Sequence, residues 1–173
     1  MVVISTHASD DLSTFLLGDH SSEMIDNGLK SLLLVPQGAR YTPIKKIALA
    51  IDPVHAESDL EQVYQLIPLA KDLHAELLIT YIQPEKEPPA QIREQVDRFL
   101  MDLSNKADYP NIYYRVVTSD NTEKGLKWLC ENGQVDMLAM LHRQHGFFDS
   151  LLNGSHTQRL VNHLATPLLV IPA

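Results

Sequence analysis

One cysteine, Cys130, is all that the 173-residue chain contains, so an internal disulfide is excluded. A reducing, cytoplasmic setting is the expectation. Long apolar runs are missing as well: none approaches the roughly 20 residues that a membrane-spanning helix needs. The start, MVVISTHASDD, has no basic stretch ahead of a long apolar one, so it does not read as a secretory leader. It reads as a buried strand. Basic residues are in the minority, with 14 Lys and Arg against 22 Asp and Glu and a net charge of -8. That balance argues against a nucleic-acid groove or an anionic membrane surface as the main partner. What is present is a hydrophobic content of 45%, enough for a core, and length for one ordinary domain plus a remainder.

The chain repeats itself at an offset of 136 residues. Gly18-Asp19-His20-Ser21 falls on Gly154-Ser155-His156-Thr157, and Leu32–Pro36 falls on Leu168–Pro172. Met24 and Ile25 fall on Leu160 and Val161, which keeps the apolar face of the intervening helix. Residues 1–36 read strand, loop, helix, strand, with Val2–Ile4 and Leu32–Val35 as the strands and Gly28 as a helix stop. Such a piece cannot bury both faces of a parallel sheet alone. The simplest account is the last third of an earlier copy.

Residues 37–43, within PQGARYTP, form a linker, and a complete unit is expected over 44–173. Its strands are Ile47–Ile51, Leu77–Ile82, Ile112–Val117, Met137–Leu141 and Pro167–Ile171. Apolar residues on consecutive positions suit strands covered on both faces. Between them lie helical stripes: Leu60, Val63, Tyr64, Ile67, Ala70 and Leu73; then Ile92, Val96, Phe99, Leu100 and Leu103; then Leu126, Leu129 and Cys130. Ser58 and Glu61 fit a capping box, Pro68 predicts a kink, and the second of the unit's helices spans Ala90–Asn105. Strands alternating with helices give an α/β fold with a doubly wound parallel sheet, and its ligands bind beyond the carboxyl ends of the strands. Asp52, the loop after Leu141 and Gly154-Ser155 all fall at such ends.

Gly154-Ser155 at a helix start exposes N–H groups suited to a phosphate, and the same groups suit an ordinary cap supplied by Ser155 or Thr157. His142, His145 and His156 have spacing that can bind zinc, although a structural zinc site wants four ligands. Phe147 and Phe148 read as anchors of their loop. No nucleophile–base pair stands out, and Cys130 reads as core.

The KKIALAID start, the Gly-Ser-x-Thr helix and the PLLVIP ending resemble a tandem universal stress protein whose first unit is represented by its last third. The resemblance implies a Rossmann-like, adenine-nucleotide-hydrolase-like sheet in the order 3-2-1-4-5, with a preceding β-α-β piece. It also implies dimer-like pairing through the fifth strands, either as a homodimer or within one chain, and a cytoplasmic role in stress response alongside protein partners. The ATP-binding branch carries G-x2-G-x9-G-[ST] after the fourth strand. In the first copy Ser5 and Ala8 replace two glycines, and Asp19 follows Gly18 where a hydroxyl belongs. In the second copy seven residues separate Gly146 from Gly154, and Arg143 stands three before Gly146. The sites implied are Asp52, Arg143, Gly146, Gly154, Ser155 and Thr157 for ATP or AMP. The departures favour a protein that binds and pairs without strong ATP binding.

Overall fold

The computed structural model describes residues 1–5, 31–36, 39, 42–86, 88–143 and 165–172. The expected helix over residues 19–28 and the loop of residues 144–157 lie outside them. The described strands are β1 (Val2–Ser5), β2 (Leu32–Val35), β3 (Lys46–Ala50), β4 (Glu76–Gln83), β5 (Ile112–Thr118), β6 (Met137–His142) and β7 (Leu168–Pro172). The described helices are α1 (Ala56–Leu73), α2 (Ala90–Lys106) and α3 (Thr122–Asn132). The strands form one sheet in the order β1-β2-β7-β6-β3-β4-β5, parallel throughout except for β2 against β7.

Consecutive apolar residues bury the sheet on both faces. Every residue of β6 is buried. Ala48, Leu78, Leu138, Met140 and Val170 point to one face, where Leu126 and Leu129 of α3 pack. Ile47, Leu49, Ile79, Ala139 and Leu169 point to the other, beneath Val63, Ile67 and Ala70 of α1 and Phe99 and Leu103 of α2. Asp136 joins the start of β6 to the start of β3, its Oδ2 accepting the N–H groups of Lys45 and Lys46 at 2.9 Å each.

Two local expectations change. The first helix does not start at a Ser58 cap. It starts at Ala56, after a single 3-10 turn over Pro53–His55, with His55 at the N-cap and no side-chain cap bond. Asp52 directs that turn: its Oδ1 accepts the Val54 N–H at 3.0 Å and its carbonyl accepts the His55 N–H at 2.8 Å. The helix is continuous through Pro68, which is exposed, so that the lost backbone bond can be hydrated. Leu73 does not belong to the buried stripe; it is exposed in the last turn, just before His74 closes the helix in a left-handed conformation. The third helix is capped by Asn121, whose Oδ1 accepts from the N–H groups of Glu123 and Lys124, and Gly133 stands at its end.

The offset of 136 holds in the strand registers. Val2 pairs with Leu32 as Leu138 pairs with Leu168, and Ser5 with Val35 as Leu141 with Ile171. The hydrogen bonds repeat too: Val2 N–H donates to Ser31 O at 2.8 Å, and Leu138 N–H to Pro167 O at 2.9 Å. Where the two pairs meet, Leu32 faces Val170, Leu33 faces Leu169 and Leu34 faces Leu168. Since Leu33 and Leu169 are equivalent under the offset, this register is that of a local twofold axis passing between them. The Leu32–Val35 strand is therefore covered on its outer edge by the last strand of the same chain.

Candidate functional site at the sheet's carboxyl edge

In the order β5-β4-β3-β6-β7 the chain steps outward from β3 on one side and from β6 on the other. The reversal lies between β3 and β6, the position where open α/β sheets place their ligands. Ala50 of β3 lies beside Met140 of β6, so Asp52 and the His142-Arg143 pair leave the sheet side by side.

Asp52 is half-exposed and turned back on its own loop. One carboxyl oxygen holds the Val54 N–H, and the other lies 4.0 Å from His55 Nε2. Its backbone N–H donates to Asp59 Oδ2 at 2.9 Å. Asp59, in the first turn of α1, is wholly buried, and its other oxygen meets the Arg143 guanidinium. Burial pushes the Asp59 carboxyl above its ordinary range; the Asp52 N–H and Arg143 pull it back only partly. A charged-pair hydrogen bond inside this edge is strong because little water competes for it. Tyr81 of β4 also belongs to the neighbourhood, its hydroxyl raised first by burial and then by the Asp52 carboxylate.

The structure thus brings together Asp52 and Arg143 through a residue that the sequence reading passed over. Asp59 lies on the α1 face that carries Leu60 and Val63, and a carboxylate beside such a stripe was the available signal. His142 is not a loop residue; it ends β6 and is 6% exposed. Gly146, Gly154, Ser155, Thr157, His145 and His156 lie outside the described residues. Among the described residues no group of three His, Cys, Asp or Glu side chains gathers to hold a metal ion. Cys130 is packed against the α3 face of the sheet, and burial pushes its thiol up to about 11, which leaves it a poor nucleophile.

Residues 43–172 match the universal stress protein family. The chain belongs to that family. No curated protein sequence matches it. Among solved structures, a universal stress protein from Archaeoglobus fulgidus is similar over 98% of this chain and 59% of its own, with a TM-score of 0.62 and 12% identity. The chain therefore spans little more than half the length of that protein. A universal stress protein in complex with cAMP aligns over 75% of this chain and 98% of its own, with a TM-score of 0.54 and 18% identity. A family member from Burkholderia pseudomallei covers 78% of this chain and 100% of its own, with a TM-score of 0.50 and 20% identity. At these identities the likeness is one of fold. Among the described residues no helix of this universal stress protein is long and apolar enough to cross a membrane.

Proposed function

We propose that this universal stress protein works in the cytoplasm by binding and by dimer-like domain pairing, without strong ATP binding. One observation carries the reading: Arg143, which the family resemblance puts among the phosphate-loop positions, is bound to buried Asp59. Drawing Arg143 onto a phosphate would leave Asp59 as an uncompensated buried carboxylate, a cost of several kcal/mol, roughly 3–5. Asp52 adds a second negative group at the same edge. The described residues thus fit a triphosphate poorly. Isothermal titration of the purified protein with ATP, AMP and cAMP tests the reading. No saturable binding at millimolar nucleotide is expected; saturable binding selects the second reading.

That second reading is an adenine-nucleotide binder, favoured by the cAMP complex of a relative. In it Gly146, Gly154, Ser155 and Thr157 would supply N–H and hydroxyl donors to the phosphate, and Asp52 would contact the nucleoside.

We also infer that residues 1–36 are the last third of a first unit, residues 37–43 the linker and residues 44–173 the second unit. The repeated registers of β1–β2 and β6–β7 support this division. In this reading the pairing of last strands is intramolecular, because β2 occupies the outer edge of β7.

A further inference from the structure

A groove of about 570 Å³ runs between β5 and α3, and β4 separates it from β3, the strand that leads to Asp52. Close packing creates it. Gly125 lets α3 lie directly on Ile82 of β4, where a Cβ would come within 2.5 Å of Ile82 Cγ2. The flank of α3 then stands along β5, with Lys124 and Trp128 about one turn apart on it. Side chains alternate along β5, so Arg115 shares the face on which Val117 packs with Leu126 and Leu129. Arg115, Lys124 and Trp128 all line the groove, together with the hydroxyl residues Thr118 and Ser119.

We propose that this groove binds a small planar aromatic carboxylate. Charge points to an anion. The protein carries 22 Asp and Glu against 14 Lys and Arg, yet two cations and, among the described residues, no carboxylate line the groove. Arg115 is half-buried, and among the described residues its guanidinium enters no ion pair or side-chain hydrogen bond. Lys124 is paired with Asp120 at 2.8 Å, but both are exposed. Such pairs stabilise little, so the ammonium can turn to a ligand at small cost. One unspent guanidinium suits one carboxylate, whose two oxygens match its parallel N–H groups. Trp128 supplies the partner for a ring: it is 49% exposed and offers a flat apolar face in the same groove. The volume lies within the roughly 300–1,000 Å³ of small-molecule sites. An adenine nucleotide is a poorer occupant, because its phosphates bring more negative charge than Arg115 balances. An aliphatic carboxylate is poorer too, because it leaves the indole face uncovered. The groove shares no residue with Asp52, Asp59 and Arg143, so the inference stands apart from what that edge binds.

Trp128 is the only tryptophan of the chain, so its indole N–H gives a single signal in a proton–nitrogen correlation spectrum of the full-length protein. The probe is 2-naphthoate, titrated to millimolar concentration. A saturable shift of that signal is expected. Arg115→Gln should weaken binding about tenfold, the loss that follows from removing a hydrogen bond to a charged group. The neutral probe 2-naphthamide, added to the parent protein, should be weaker by a similar factor, which tests the same contact without any risk to folding. Trp128→Ala should abolish binding, read as loss of the line broadening of the naphthoate protons. The proposal is overturned by a shift that does not saturate, or by binding that is indifferent both to Arg115→Gln and to the amide. Hexanoate binding as tightly as naphthoate also overturns it, since the ring is then not recognised. So does AMP that moves the indole signal at lower concentration than naphthoate, because the groove is then a nucleotide site.

Discussion

Asp59 and Arg143 stand 84 residues apart in the chain and meet as a carboxylate and a guanidinium over the carboxyl edge of the sheet. The aspartate is wholly buried, and the arginine side chain retains 20% of its exposure. The pair fastens the first turn of α1 to the end of β6, with the start of the β3–α1 loop held by the same carboxylate.

Removing one partner of such a pair exposes the cost of burying the other. Asp59→Ala is expected to lower stability by about 3 kcal/mol in urea unfolding. Asp59→Ala combined with Arg143→Ala is expected to lose less than the sum of the two single changes, with a coupling of roughly 1–3 kcal/mol. A single variant within about 0.5 kcal/mol of the parent would show that the pair is idle, as exposed pairs are.

The pair also sets a pH dependence. The folded state raises the Asp59 carboxyl above its ordinary value, chiefly by burial. The folded protein therefore binds this proton more tightly than the unfolded chain. Its contribution to stability is fully present below the unfolded value and is lost as pH rises through the raised one. Unfolding midpoints of the parent minus those of Asp59→Asn should fall as pH is raised from about 4 toward neutrality. A flat or rising difference would mean that Arg143 outweighs burial.

Gly125 gives a test on the opposite face of the sheet. A Cβ there would lie 2.5 Å from Ile82 Cγ2 and 3.3 Å from Ser119 Cβ. In an exposed helix, alanine in place of glycine gains about 1 kcal/mol. Overpacking costs roughly 1–3 kcal/mol, and a methyl on a β-branched residue cannot easily swing aside. Gly125→Ala is therefore expected to destabilise by about 1 kcal/mol in thermal unfolding. A rise in Tm would show that α3 shifts off β4 freely.

Consecutive apolar residues were a sufficient guide to the strands. Leu32–Val35 is found where it was expected, and β3 to β7 depart from their expected bounds by one residue at one or both ends. Periodicity likewise marked Val63, Ile67, Phe99 and Leu129 as core. Local chemistry misled at Ser58, because the start of α1 is decided by Asp52 and by the turn that it holds. The site was legible in part. Asp52 follows from a strand end and Arg143 from the family resemblance, whereas Asp59 is defined by its long-range contact. No spacing rule links positions 59 and 143; only the sheet order, which puts β3 beside β6, does so.

The antiparallel seam between β2 and β7 bears on how the protein is made. Leu33 emerges from the ribosome 136 residues before Leu169, its partner. At roughly 5–20 residues per second, that interval is on the order of 10 s. Throughout it the Leu32–Val35 strand has no β7 to pair with, while the unit from β3 onward is still being completed. An apolar strand waiting that long is a natural client for a chaperone, and synthesis rate through residues 44–173 becomes a determinant of yield.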